Sequence, residues 1–300
     1  MPGKAGNLKR FYQLGGLVIQ VEATLPLLDS TFASKFHSFL VSSPQKAEVL
    51  IKHFFSFPPL DEESVGPIVY EYPPWVIRDG GQKWHYFCYS PWEEKALYLM
   101  AIVSRDFSQI NVYHPAPTIF LRGGLPSLTA FPTDQVLLAQ VFPQFQGAYF
   151  HAAGLIHEGR GLVFLGPSGE GKSSITKLFK QFSAAQILCD DRVIIRQRGE
   201  KWRVYGTWSH GEVPDVSSSS APLQELYFLK QGKNNRRRLI TSKFEVTMRL
   251  IDLLVKPHPI FTWWERVITI CQSIAQSMPA YELEFDLSGE VVKLLTGCPG

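Results

Sequence analysis

The stretch Gly166-Pro167-Ser168-Gly169-Glu170-Gly171-Lys172-Ser173 decides how this chain is read. It fits G-x-x-x-x-G-K-[ST], the pattern of a phosphate-binding loop, in full. Ahead of it, residues 162–165 are an apolar run of the kind a buried strand makes. Behind it, Ile175, Leu178, Phe179 and Phe182 recur at i, i+3, i+4 and i+7, the stripe of a helix with one buried face. Strand, loop and helix in that order are the context the motif needs. Three glycines let backbone N–H groups approach a polyphosphate with no Cβ in the way, and the helix N-terminus adds partial positive charge. Lys172 has the reach for the outer phosphates, and the Ser173 hydroxyl suits a magnesium ion. The expected nucleotide-binding set is therefore Gly166, Pro167, Ser168, Gly169, Glu170, Gly171, Lys172, Ser173 and Ser174, with ATP and Mg2+ as the implied ligands. The motif implies a nucleoside triphosphate and does not by itself specify a kinase.

Downstream, Ile187-Leu188-Cys189 is a short apolar strand that ends in Asp190-Asp191. Acidic residues delivered beside a phosphate loop stand where a magnesium ligand belongs; a plain strand-end turn is the alternative. Residues 193–195 and 202–205 read as a hairpin, and 206–212 as a polar, glycine-bearing loop. The proline-bounded stretch 214–222, with serines at 217 to 220, is expected to be mobile. A strand over 226–229 follows. Phe244, Met248, Ile251 and Val255 mark one helix, and Trp264, Val267, Cys271 and Ile274 another. A strand over 281–287 and a short final helix complete the chain.

Upstream, small and apolar residues 148–156 form a strand, turn at Glu158-Gly159-Arg160-Gly161 and pair with the strand that feeds the loop. Thr133 and Asp134 can start a helix whose apolar face is Val136, Leu137, Val141 and Phe142. The change of texture over 126–132 puts a domain boundary near residue 125, giving a β-rich domain over 1–125 and a nucleotide-binding domain over 126–300. Strands are expected in the first at 17–21, 36–41, 49–55, 97–103, 110–113 and 118–121. A hairpin at 75–78 and 84–89 turns on Asp79-Gly80-Gly81. The many aromatics here read as half-buried strand residues rather than a base-stacking surface.

The bulk numbers fit that division. The chain has 300 residues, 45% hydrophobic and 19% charged, enough for a real core. A net charge of +3 is too mild to imply nucleic acid. Arg236-Arg237-Arg238 reads as a solvated surface run. Cys88, Cys189, Cys271 and Cys298 form no C-x-x-C pair, and scattered thiols suit a reducing cytoplasm. No signal peptide or membrane span is expected, so neither a membrane nor nucleic acid is an expected partner.

His151-Ala152-Ala153-Gly154, the loop at 166–173 and Leu188-Cys189-Asp190-Asp191 together resemble the catalytic domain of the HPr serine kinase/phosphorylase family, whose fold is shared with phosphoenolpyruvate carboxykinase. The separations agree with the resemblance: 21 residues from His151 to Lys172 and 18 from Lys172 to Asp190. The stretch Arg203-Val204-Tyr205-Gly206-Thr207-Trp208-Ser209-His210-Gly211-Glu212 resembles a loop of HPr-kinase-related proteins. The resemblance covers about residues 130 to 290. It implies an α/β (α+β) mixed sheet with helices, preceded by the β-rich N-terminal domain. It implies that Lys172 holds the outer phosphates, that Ser173 and Asp190 bind magnesium, and that Asp191 is the general base on an acceptor hydroxyl. It implies that His151 sits near the phosphates. Glu212 and one of Arg236 to Arg238 are secondary candidates for metal or transition-state charge. The resembled family forms hexamers, so a homo-oligomer is among the implied partners. Pro167 stands where the bifunctional enzyme usually has aspartate, and the Glu-x-Arg-Gly-x-Gly stretch tied to phosphorolysis is absent, so neither phosphorolysis nor HPr as acceptor is carried over.

The leading expectation is an ATP-dependent kinase acting on a serine-type hydroxyl of a peptide, small protein or small molecule, with the N-terminal domain selecting the acceptor. The alternative is a nucleotide-binding sensor or docking module that transfers nothing. A motor-type ATPase is disfavoured by the hairpin after Asp191 and the lack of a separate sensor segment. His157 and His210 are expected on the surface.

Overall fold

The computed structural model describes residues 7–42, 46–90, 96–257 and 261–297. The chain divides between Val141 and Phe142 into two compact units.

In the first unit, β1 (Asn7–Leu14), β2 (Leu17–Leu27), β3 (Leu40–Val41), β4 (Val49–Phe54), β5 (Ile68–Tyr72), β6 (Trp75–Asp79), β7 (Lys83–Tyr89), β8 (Leu97–Ser104) and β9 (Gln109–Tyr113) form one sheet in the order β3-β1-β2-β4-β9-β8-β7-β6-β5. The pairings of β4 with β2 and with β9 are parallel. Gly15 and Gly16, both at positive φ, make the tight turn between β1 and β2. Along β4, burial alternates at Val49, Ile51 and His53, as one face of a strand requires. Short helices α1 (Glu62–Val65), α2 (Thr118–Arg122) and α3 (Gln135–Val141) complete the unit.

Three expectations for this region change. Residues 36–41 are not a full strand: Ser34–Phe39 is a 3-10 turn that buries Phe36 and Phe39, and only Leu40–Val41 pairs with β1. A spacing of three brings both rings to one side of such a turn, which as sequence looks like an apolar run. Residues 118–121 are helical; α2 buries Phe120 and exposes Leu121, so only part of that apolar run is core. The boundary lies at 141, not 125. Buried Asp134 accepts hydrogen bonds from the Leu128 and Thr129 amides at 2.9 and 3.0 Å and from Thr129 Oγ1 at 2.8 Å, and Ala33 N donates to Leu125 O at 3.0 Å. The first three bonds fold the stretch after 125 on itself, and the contact of His53 Nε2 on β4 with Leu128 O at 2.9 Å ties it to the first unit.

The second unit contains β10 (Gly147–His157), β11 (Arg160–Leu165), β12 (Gln186–Cys189), β13 (Arg192–Arg198), β14 (Lys201–Tyr205), β15 (Ser220–Gln231), β16 (Arg236–Leu239) and β17 (Ala280–Phe285), with helices α4 (Lys172–Phe182), α5 (Lys243–Asp252), α6 (Phe261–Ser277) and α7 (Glu290–Thr296). The strand order is β11-β10-β13-β14-β15-β17-β16, with β12 on β10. Because β11 also pairs with β15, in parallel, the first five strands of that order close into a ring.

The apolar run of β11 has a direct cause: it is buried on both faces. Val163 and Leu165 join a core with Leu188, Leu250, Val267 and Ile274. Leu162 and Phe164 join another with Ile175, Phe179, Tyr227, Leu283 and Val291. Successive side chains of a strand point to opposite faces, so a strand between two cores reads as continuous hydrophobicity. Helix α4 buries Ile175, Leu178 and Phe179, while Phe182 is half exposed.

Two further expectations change here. On α5 the buried face is Val246, Thr247 and Leu250, whereas Phe244 is 77% exposed and Met248 is also exposed; the expected stripe lies largely on the solvent side of the same helix. The serines at 217 to 220 are pinned rather than loose. Ser217 N donates to Leu188 O at 3.0 Å and Gly206 N to Ser219 O at 3.2 Å, the Gln186 side chain donates to Ser217 and Ser219, and β15 begins at Ser220. Their backbone groups continue the sheet.

Helix α5 starts on a serine N-cap: Ser242 Oγ accepts from the Glu245 amide at 3.2 Å. Ser242→Ala is expected to cost about 1 kcal/mol of stability, read as a lowered urea midpoint with an unchanged slope.

Candidate active site

The chain leaves β11 at Leu165, turns through 166–171 and enters α4 at Lys172. Gly169 and Gly171 adopt φ of +90° and +97°, a region that side chains disfavour. At Gly171 a Cβ would also approach Phe285 Cζ to 2.9 Å, so the position rejects a side chain on two counts.

Beside this turn lies a cavity of about 300 Å³ lined by Ser168, Gly169, Gly171, Lys172, Ser173, Ser174, Asp190, Asp191, Gly211 and Glu212. Gly166 and Pro167 serve it indirectly: Lys172 Nζ donates to their carbonyls at 2.7 and 2.8 Å. Glu170 N donates to Pro167 O, closing the turn. Lys172 is 8% exposed. Burial lowers its pKa, Asp191 opposes that shift most, and Arg192 adds to it.

Asp190, 1% exposed, receives three hydrogen bonds. Ser173 Oγ donates to Oδ2 at 2.7 Å, Val213 N to Oδ2 at 2.9 Å and Gly211 N to Oδ1 at 2.6 Å. One carboxylate thus joins the first turn of α4, the end of β12 and the loop after β14. A buried carboxylate with this many donors is a fixed acceptor rather than a strand-end accident.

Asp191 lines the same cavity. Its Oδ2 is ion-paired with Arg192 and accepts from Ser209 Oγ at 3.0 Å, and Arg192 Nη1 also donates to Ser209 Oγ at 2.8 Å. The sequence reading attached no role to Arg192 or Ser209. The signal was present in the triplet Asp190-Asp191-Arg192, but Ser209 reaches it only because β13 and β14 turn the chain back.

His151 sits on β10 opposite Arg192 of β13, and its amide donates to Leu253 O at 2.7 Å. Burial lowers the imidazole pKa; Arg192 and Lys172 lower it further and Asp191 opposes them. Glu212 stands exposed at the cavity rim and pairs with Lys177 of α4 at 2.6 Å. Arg236, Arg237 and Arg238 do not line the cavity. They lie on β16 and pair with Glu284, Glu225 and Glu282, so the basic run is a cross-strand ladder of ion pairs. His210 is exposed as expected, but His157, which ends β10 opposite Arg160, is 7% exposed. Cys88, Cys189 and Cys271 are buried free thiols; Cys298 lies outside the described residues.

Among the described residues no cluster of three or more His, Cys, Asp or Glu side chains forms a metal cage. The donors that meet, Ser173 and Asp190, are hard oxygen ligands. That set fits a magnesium ion that keeps water and phosphate in its remaining positions. Among the described residues no helix is long and apolar enough to cross a membrane.

No protein-family model matches the chain, and no curated protein matches it. Among solved structures, the Hpr(Ser) kinase/phosphatase from Coxiella burnetii is a distant neighbour. It matches 49% of this chain and 89% of its own at 10% identity, with a TM-score of 0.29, a likeness too slight to carry an argument about activity.

Proposed function

We propose that this chain is an ATP-dependent kinase of the HPr-kinase-like kind, which transfers the γ-phosphoryl group to a serine-type hydroxyl of a peptide, small protein or small molecule. The observation that supports it most is the Ser173–Asp190 hydrogen bond of 2.7 Å on a cavity shared with Lys172 and Asp191. A phosphate-loop serine, a phosphate-loop lysine and a second carboxylate meet there from two separate elements, the start of α4 and the end of β12.

In this reading the amides of 168–174 and Lys172 hold the phosphates. Ser173 and Asp190 would hold Mg2+, which supplies charge neutralisation at the phosphates. Asp191 accepts the proton of the acceptor hydroxyl as its oxygen bonds to the γ-phosphorus, and the bond to the bridging oxygen breaks with its electron pair left on ADP. His151, with its pKa lowered, lies within the electrostatic reach of Asp191 and Lys172 and shapes the charge around the phosphates. Selection of the acceptor is assigned to the first unit, and the compartment to the reducing cytoplasm that the free thiols suit.

The test is transfer of label from γ-labelled ATP to hydroxyl acceptors, with fluorescent ATP binding measured in parallel. Asp191→Asn is expected to keep nucleotide affinity and lose transfer by about 10²- to 10⁴-fold, the span of general base catalysis. Equal transfer by wild type and variant would remove Asp191 from the base role. The alternative of a non-catalytic nucleotide sensor draws on the Arg192 ion pair, which engages the carboxylate that a kinase needs. It predicts nucleotide binding without labelled product from wild type.

A further inference from the structure

We infer that Arg192 and Ser209 are positioning residues that fix which oxygen of Asp191 meets the substrate; the inference rests on the phosphoryl-transfer reading. Both bonds to this carboxylate land on the same atom. Arg192 pairs with Oδ2, and Ser209 Oγ donates to Oδ2 at 3.0 Å. The two donors are themselves joined, because Arg192 Nη1 donates to Ser209 Oγ at 2.8 Å. The three groups make a closed triangle around Oδ2. Among the described residues no donor reaches Oδ1, while Asp191 lines the cavity beside Lys172 and Ser173.

The arrangement answers the objection that an arginine-paired aspartate is too engaged to act as a base. An ionised carboxylate has about four acceptor directions on two oxygens. Filling those of Oδ2 stops the side chain from rotating and leaves Oδ1 to take a hydroxyl proton. The triangle draws on distant parts of the chain: Asp191 and Arg192 follow β12, while Ser209 comes from the loop beyond β14. Thr207 anchors that loop: its Oγ1 donates to Arg192 O at 2.6 Å and accepts from Ser209 N at 3.2 Å. Ser209 is thereby held toward Asp191 by a second contact to the same segment.

The test uses the full-length chain and magnesium ATP with water as the acceptor probe, reading released phosphate, alongside fluorescent ATP binding. Ser209→Ala should lower kcat by about tenfold to a hundredfold, the scale of a misplaced reacting group, with KM for ATP and nucleotide affinity unchanged. Ser209→Thr, which keeps the hydroxyl, should restore most of the rate. Arg192→Gln should show the same kcat-only loss and serves where Ser209→Ala does not fold. In an Asp191→Asn background Ser209→Ala should cause no further loss, because both changes act through one group. Wild-type kcat in Ser209→Ala, failure of threonine to rescue, or an equal loss in both backgrounds would each overturn the inference while leaving the kinase reading intact. If wild type releases no more phosphate than Lys172→Ala, the kinase reading falls and this inference with it.

Discussion

Lys172→Ala is expected to lower phosphoryl transfer by about 10²- to 10³-fold, the range seen when a preorganised charge or donor is removed from a reacting centre. Lys172 has two tasks in this geometry. Its ammonium ties down Gly166 O and Pro167 O at 2.7 and 2.8 Å, which shapes the loop. It also lines the cavity from a nearly buried position, where a charge is poorly screened. Alanine removes both, so nucleotide affinity should fall together with the rate. This separates it from Asp191→Asn, which should affect the rate alone. Lys172→Met keeps the aliphatic stem and should behave like alanine if charge is the operative property. Transfer near the wild-type rate in both variants would dismiss the loop as a phosphate site.

The first unit should lose stability steeply in acid, for a reason unconnected with the cavity beside α4. His53 and His114 are fully buried against each other. His53 Nδ1 lies 2.9 Å from His114 Nε2, and His53 Nε2 lies 2.9 Å from Leu128 O. For both contacts to be hydrogen bonds, His53 must donate from Nε2 and accept at Nδ1, so His114 donates from Nε2. A proton on His53 Nδ1 would face another N–H. Burial, with the neighbouring imidazole second, lowers the His53 pKa to about 3, and burial lowers that of His114 to about 4. The sign follows from linkage. The unfolded chain binds both protons near pH 6.5 and the folded chain does not, so stability is complete above 6.5 and is lost as pH falls toward 4. With both histidines titrating only in the unfolded state, the slope approaches about 2.7 kcal/mol per pH unit. Buried Asp134 acts in the opposite sense, because its carboxyl is raised by burial, and it offsets part of the loss at the acid end. Urea unfolding at pH 7, 6 and 5 measures the slope, and His114→Gln should reduce it by about half. A flat wild-type profile over that range would contradict the buried neutral pair.

What the sequence disclosed and what it withheld follow from how local each feature is. The strand, turn and helix around 166–173 were legible because the glycines, lysine and serine are contiguous and the flanks carry their own periodicity. Asp190 was legible as an acidic residue at a strand end, but its amide donors at 211 and 213 lie 21 and 23 residues away. Ser209 was invisible for the same reason. Phe244 and Met248 misled because periodicity shows that a helix has an apolar stripe without showing which side is covered; Val246 and Leu250 face the core instead. Residues 118–121 misled because four apolar or β-branched residues fit a strand or one helical turn equally well. The serines at 217 to 220 have no apolar signal, and their order comes from main-chain bonds to Leu188 and Gly206 and from the Gln186 and Arg203 side chains.

The ring closed by β11 against β10 and β15 has a mechanical consequence. A strand clasped on both edges by ladders and on both faces by hydrocarbon has nowhere to slide. The turn that begins at Gly166 therefore springs from a fixed abutment. The start of the turn is thereby held in place by the sheet rather than by the residues of the turn itself.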